Sequence, residues 1–491
     1  MATLKDNKSR LVWTQPVIGP GSILAQNACH TCSSQKRKCD RRLPGCGRCT
    51  KANYACVYHQ KIPSPTNTDA ELHYGTEKID EMDGSRDHAK DLWTASPKEE
   101  DLDRLVSAEA WSMLRRVNVD VNVVVGEYLR TVHKWLPILL PVELTRCIND
   151  LKKRPHAEDA VLLLHIVLAT HTLSPATSSP PTQNPLYETC RSLFTQLQLT
   201  RAHSLRTLQS GILLSLYELG AGLTIAAYLT VATCASLSYA MHLQGALAYP
   251  TSEERIRTWW AVFTMDRLIC LASPGLSRPL AVRQPPKGAA IPKEHYVGED
   301  GAREEWVVKG KEADDLAGYF QRQAEAACLL GEVLQLTREE SGLSPDVLDG
   351  KLLGLDAELQ KGLLVAFAEI KGSWEPSCST IAMLLSAIIE LHQKRLSLVA
   401  GSCRPQHMQR RQSAVLALRM ACNVLRDIEE GSDHNEALIK NLPLAAVLCG
   451  ILMLGVVGLL DLGPDERAEL VRMLTDGLDR CVPRWSIASI T

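Results

Sequence analysis

Six cysteines between Cys29 and Cys56 constrain this chain more than any other feature, because they fall at gaps of two, six, six, two and six residues. The two halves repeat: Cys29, Cys32 and Cys39, then Cys46, Cys49 and Cys56, each show a two-residue gap followed by a six-residue gap. A Cys-x-x-Cys pair has the bite to hold one metal ion. A structural zinc ion takes four ligands, so two ions need more bonds than six thiolates supply one at a time, and the shortfall closes if two sulfurs each bridge both ions. The spacing therefore predicts one compact binuclear cluster holding two Zn2+ per chain. A disulfide framework would need an oxidising compartment, and residues 1–28 contain no apolar run long enough for a secretory signal. A redox Cys-x-x-Cys would need a strand–turn–helix setting that this Lys/Arg-rich stretch does not offer.

Charge divides the chain by segment. Overall, 54 Lys and Arg nearly balance 56 Asp and Glu. Between Cys29 and Lys61, however, eight basic residues (Lys36, Arg37, Lys38, Arg41, Arg42, Arg48, Lys51 and Lys61) face one acid, Asp40. That is the electrostatic footprint of nucleic-acid binding on a small module. From residue 62 to 103 the sign reverses, with twelve acids against Lys78, Arg86, Lys90 and Lys98. Ten further cysteines lie scattered without paired spacing, as free buried thiols do in a reducing compartment.

The cysteine spacing resembles the fungal six-cysteine binuclear zinc cluster family of transcription factors. On that resemblance the bridging sulfurs are those of Cys29 and Cys46, and Pro44 matches a loop proline of the family. The resemblance also places the end of the first helix in the DNA major groove, where it reads a CGG-type triplet. Lys36 falls on a base-reading position, and guanine O6 and N7 are acceptors suited to its ammonium. Lys38, Arg41, Arg42, Arg48 and Lys51 are expected at phosphates, which position the module without reading sequence. Ser33 and Gln35 stand where family members often carry basic residues. Gln35 could pair with adenine N6 and N7, and solvation is the plainer expectation for it.

Beyond the cysteines, residues 1–28 carry Pro16, Gly19, Pro20 and Gly21 without periodicity and are expected to form a disordered arm. The cluster domain spans 29–56. Residues 57–104 are polar, acidic and dotted with Pro and Gly, so a flexible linker is expected there. Many relatives dimerise through a coiled coil just after the cluster, yet Ile62, Leu72, Ile79 and Met82 hold no heptad. Any homodimer would therefore use another surface.

From 105 to 491 helix-period apolar positions recur at Val125, Tyr128, Leu129, Val132 and Leu136, at Ile212, Leu216 and Leu219, and at Ala226, Leu229, Thr233 and Leu237. A large all-α domain is expected. Glu254 to Leu280 (ERIRTWWAVFTMDRLICLASPGLSRPL) resembles the signature of the fungal transcription factor regulatory domain, as Tyr128 to Pro141 resembles its opening and Leu208 to Leu243 its central helix pair. Asp266 and Arg267 each fall in an apolar row, where a buried charge needs a partner; a structural ion pair holding the following loop is the expectation. Leu442 to Leu460 is uncharged for nineteen residues, close to a membrane span. Pro443, three glycines and the absence of an aromatic belt favour a bundle core over an anchor.

These readings combine into a small binuclear zinc-cluster DNA-binding module joined to a large all-α regulatory domain. The expected function is nuclear: a sequence-specific, zinc-dependent fungal transcription factor for RNA polymerase II. Activation of a gene set such as a secondary-metabolite biosynthesis cluster is favoured over repression or a membrane-tethered form. Acidic stretches near Asp427 to Glu436 and Asp461 to Asp479 are candidate contacts to the transcription machinery. No phosphate loop, dinucleotide fingerprint, His-Glu-x-x-His or nucleophile elbow suggests an enzyme.

Overall fold

A computed structural model describes residues 28, 30–41, 46–52, 99–170, 181–246, 252–273, 278–286, 289–291, 311–338, 343–368, 370, 377–399, 405–432, 442–460 and 462–490. The chain divides into two compact units, Met1–Asp87 and His88–Thr491. The arm over 1–27 and most of the linker lie outside the described residues.

The first unit shows two five-residue helices, α1 (His30–Ser34) and α2 (Gly47–Lys51). Helices this short do not persist in water alone. Their buried side chains are cysteines: Cys32, Cys46 and Cys49, with Cys39 packed against them.

The second unit is helical throughout, and no strand occurs among the described residues. In chain order come α3 (Glu99–Val117), α4 (Val121–Arg130), α5 (Val132–Trp135), α6 (Pro141–Leu151), α7 (Ala157–Thr170) and α8 (Pro185–Thr200). There follow α9 (Leu205–Gly220), α10 (Thr224–Ala240), α11 (Leu243–Ala246) and α12 (Glu253–Leu271). The last six are α13 (Lys311–Arg338), α14 (Pro345–Ala368), α15 (Cys378–Leu398), α16 (Pro405–Ser432), α17 (Leu444–Val456) and α18 (Pro464–Cys481). Local chemistry marks their starts. Asp120, Asn184 and Ser204 each accept a hydrogen bond from a first-turn backbone amide, which satisfies donors that a helix start leaves orphaned. Pro141, Pro185 and Pro464 open α6, α8 and α18, where a missing N–H costs nothing.

Helices α7, α9, α12 and α15 are buried on nearly every side. Helix α9 packs between α7 and α10, and α12 crosses both α9 and α10. Helix α15 is the axis of the C-terminal half, packed by α13, α14, α16 and α17, while α13 also touches α12. A helix enclosed in this way reads as apolar all round, with no single stripe. Val125, Tyr128, Val132 and Leu136 are buried as expected, as are Ile212, Leu216 and Leu219. The thiols of Cys147, Cys190, Cys234, Cys270, Cys378, Cys449 and Cys481 are buried. Burial pushes those of Cys270 and partly buried Cys328 up to about 12, which keeps them unreactive at neutral pH.

Asp266 and Arg267 form the expected loop clamp. Both are fully buried, with Nη1 2.6 Å from Oδ2. The Asp266 carboxylate accepts from the amides of Ala281 and Val282, each at 3.1 Å. Arg267 Nη1 also donates to the Val282 carbonyl at 2.7 Å, and its guanidinium lies 3.8 Å over the Phe263 ring. Burial pushes the carboxyl up and the guanidinium down, and their mutual attraction opposes both shifts. The pair thus staples residues 280–284 onto α12, and Gly331 of α13 leaves the space for it: a Cβ there would stand 2.9 Å from Arg267 Nε.

At the C-terminal end Trp485 sits against Gly220, where a Cβ would collide with the indole ring. Trp485 Nε1 donates to the Leu442 carbonyl at 2.9 Å, and Arg484 Nη1 donates to the Thr170 carbonyl at 2.8 Å.

Two expectations change, and the bundle-core reading of 442–460 holds. Helix α3 begins at Glu99, inside the stretch expected as linker, because Glu99, Glu100 and Asp101 fill a first turn where negative charge suits the helix dipole. In α10 Leu237 is buried as expected, but the main buried row is Ala227, Val231, Cys234 and Ser238, while Leu229 is 56% exposed. That helix carries no charge, so its apolar period could not fix which side faces inward. The uncharged run 442–460 divides into thirteen-residue α17 and a 3-10 turn at Val457–Leu459. Among the described residues no helix is long and apolar enough to cross a membrane.

Candidate metal centre and nucleic-acid interface

Four of the six expected ligands lie within the described residues: Cys32 in α1, Cys39 after it, Cys46 at the N-cap of α2, and Cys49 in α2. Cys29, Cys56, Arg42 and Pro44 lie outside them. The sulfurs of Cys32, Cys39 and Cys46 fall within 4.8 Å of one another. Cys32 Sγ is 3.7 Å from Cys46 Sγ and 3.9 Å from Cys49 Sγ. These separations are far beyond a sulfur–sulfur bond. They equal the edge of a tetrahedron with Zn–S bonds of about 2.3 Å, which is about 3.8 Å. Cys32, Cys46 and Cys49 are at most 1% exposed, so a cation is shielded there from competing water. The donor set and its spacing fit zinc.

Local bonds hold the sulfurs in place. Cys46 caps α2 by accepting from the Cys49 amide through Sγ at 3.4 Å, which favours the thiolate. Its carbonyl accepts from Thr50 Oγ1 at 3.0 Å. Asp40 closes the connection between the halves. Both of its carboxylate oxygens accept from the Gly47 amide, at 3.0 and 3.1 Å. A Cβ on Gly47 would stand 2.8 Å from Asp40 Oδ2. Sequence reasoning missed this contact because the partners lie seven residues apart, outside any capping pattern. Its one trace is the acid within the basic run and the glycine after Cys46.

The basic residues lie in the same segment as these sulfurs. Lys36, Arg37, Lys38, Arg41 and Lys51 are exposed, and Arg48 is half-buried. The α1 C-terminus is closed by two crossed bonds: the Lys36 amide donates to Ser33 O at 3.0 Å and the Arg37 amide to Cys32 O at 2.9 Å. This closure puts Lys36 in the left-handed region at φ 49°, where glycine is the usual residue. Gln35 is neither solvated alone nor open for pairing at both amide atoms, because its Oε1 accepts from Arg48 Nη2 at 3.3 Å.

Residues 27–65 match the model of the fungal Zn(2)-Cys(6) binuclear cluster domain. Residues 125–273 match that of the fungal specific transcription factor domain. The chain is 29% identical over 155 residues to "Transcription factor BOA15" of Botryotinia fuckeliana strain B05.10, a match covering 32% of this chain and 82% of that protein. It is 51% identical over 37 residues to the "Depudecin biosynthesis cluster-specific transcription activator DEP6" of Fusarium langsethiae, covering 8% of this chain and 6% of the other. A "Peroxisome proliferation transcriptional regulator" of Saccharomyces cerevisiae is 37% identical over 77 residues, 14% of this chain and 7% of the other. No solved structure matches. The cluster domain binds two zinc ions, and the converging sulfurs are compatible with them. These are transcription factor families and not enzymes. Both domain models, that of the Zn(2)-Cys(6) cluster and that of the fungal specific transcription factor domain, thus match this one chain in this order.

Proposed function

We propose that the protein acts in the nucleus as a sequence-specific activator of RNA polymerase II transcription, switching on a gene set such as a secondary-metabolite biosynthesis cluster. The observation that carries this reading is a converging set of cysteine sulfurs in a segment whose basic residues are mostly exposed. The printed role of DEP6 as a cluster-specific activator supports the choice of gene set. Cys29, Cys32, Cys39, Cys46, Cys49 and Cys56 hold the two zinc ions, with Cys29 and Cys46 bridging. Lys36 donates to a guanine edge of a CGG-type triplet in double-stranded DNA, and Lys38, Arg41, Arg42, Arg48 and Lys51 complete the DNA-facing set. The helical domain over 105–491 regulates and contacts the transcription machinery. Two copies, where they pair, do so without a coiled coil after the cluster.

Selecting bound sequences from a random DNA pool with the full chain tests the reading at its base. Lys36→Ala should then cost about 1–3 kcal/mol on the selected site and much less on scrambled DNA. Lys51→Ala should weaken all sequences alike and make log K against log salt shallower by roughly one unit, because one fewer counterion is released. Uniform loss from Lys36→Ala, or a changed triplet from Lys51→Ala, would reverse the assignment of the two residues.

A further inference from the structure

The Gln35–Arg48 hydrogen bond joins the two halves of the cluster module across thirteen residues. Gln35 follows α1 directly and lies beside Lys36, and it is exposed. A glutamine reads adenine with two atoms at once: the amide oxygen accepts from N6 and the amide nitrogen donates to N7. Here the oxygen already accepts from Arg48. The oxygen keeps a second lone pair, but the bond ties the orientation of the amide to Arg48 and leaves Nε2 as the group it can turn to a ligand as a donor. The bond also acts on Arg48. One guanidinium nitrogen is tied to the first half, so the remaining N–H groups are held near α1 and do not sweep freely toward a phosphate. Lys36, the next residue, adds an ammonium and no acceptor. Three neighbouring side chains therefore present mainly donors, and in the major groove a surface of donors matches guanine, whose O6 and N7 are both acceptors.

We propose that Gln35 is a specificity-determining positioning residue: by committing its amide oxygen to Arg48, it withdraws itself from adenine recognition and fixes Arg48 as a base-directed donor, so that the base facing this pair is guanine. The inference rests on the DNA-binding reading above and moves Arg48 from the phosphate-contacting set to the base-reading set.

The test is selection from a random DNA pool by the full zinc-loaded chain, as wild type, Arg48→Ala, Gln35→Glu and Gln35→Ala, with two zinc ions per chain verified for each. Arg48→Ala frees the Gln35 oxygen, so one position of the motif should shift from guanine to adenine while the others hold. In competition between duplexes differing at that base, the preference should change by about 5- to 150-fold. Gln35→Glu keeps an acceptor for Arg48 and should retain guanine. Gln35→Ala releases Arg48 and should lose discrimination at that position alone. The proposal is overturned if Arg48→Ala weakens every sequence equally with an unchanged motif and a shallower salt slope, the signature of a phosphate contact. It is also overturned if the wild type already selects adenine there. If the zinc-loaded wild type selects no motif, the DNA-binding reading itself fails, an outcome distinct from either. Should Arg48→Ala lose its zinc, the Gln35 pair of variants decides.

Discussion

The two compact units of this chain are held together by different physics. In the first, the buried side chains among the described residues are cysteines, and its two described one-turn helices are fixed by what the sulfurs bind. In the second, several helices are enclosed on all sides by a continuous apolar core. A segment of a few dozen residues cannot bury enough apolar surface to offset its chain entropy, so a metal takes the role of a core. Several hundred residues can, and there burial does the work. Ligation demands a strict order of residue types, while packing demands only apolar volume of about the right shape. The first unit is consequently written in a few fixed letters and the second in a diffuse pattern.

A strong chelator should break the comparison most visibly. Removing zinc should unfold the first unit and abolish DNA binding, with little loss of far-UV helical signal, because the long helices carry that signal. Circular dichroism with a DNA-binding assay on the same sample measures both. Loss of the main cooperative unfolding transition on chelation would mean that the two units are not energetically separate.

The helical unit should be vulnerable at its Asp266–Arg267 staple. Asp266→Asn leaves Arg267 buried beside a neutral amide, and removing one partner of a buried ion pair costs about 3–5 kcal/mol. Urea unfolding should show the loss in the helical transition while the zinc content stays at two per chain. A loss below about 1 kcal/mol would show that the Val282 carbonyl and the Phe263 face suffice for the guanidinium.

Acid sharpens the contrast with a smaller effect. His165 is fully buried, its Nδ1 lies 2.7 Å from the Val161 carbonyl, and burial lowers its pKa to about 4. The unfolded chain takes up that proton near pH 6.5, so it binds more protons than the folded chain between pH 6.5 and 4. Stability from this residue is complete above about pH 6.5 and falls by up to about 3 kcal/mol as the pH drops toward 4. His165→Gln should flatten that part of the helical unit's pH profile. The first unit will lose stability in acid by another route, proton competition for its thiolates, and the substitution should leave that loss unchanged.

Legibility followed the same division. The metal centre could be read from six cysteines because a ligand set tolerates no slippage, and the Asp266–Arg267 clamp from two charges in apolar rows. The buried side of α10 could not, since a helix without charge looks alike in every direction. Neither could the Asp40–Gly47 clamp nor the Gln35–Arg48 bond. Each joins polar residues from opposite halves of the repeat, and no local rule ties such partners together. The start of α3 was hidden because acidic residues serve a linker and a helix N-terminus equally well.

The packing of Trp485 on Gly220, with Arg484 on the Thr170 carbonyl, bears on how the protein is made. The surface of α7 and α9 that these residues cover belongs to the first half of the chain, and the covering residues leave the ribosome long after it. Trp485 follows Cys56 by about 430 residues, which at about 5–20 residues per second is a delay of roughly 20–90 s. During that interval the six-cysteine segment is already synthesised and free to take up zinc, while the helical unit still lacks part of its packing. A nascent chain of this protein thus gains the means to hold DNA well before it gains a finished regulatory body, and a chaperone has that interval in which to cover the waiting apolar surface.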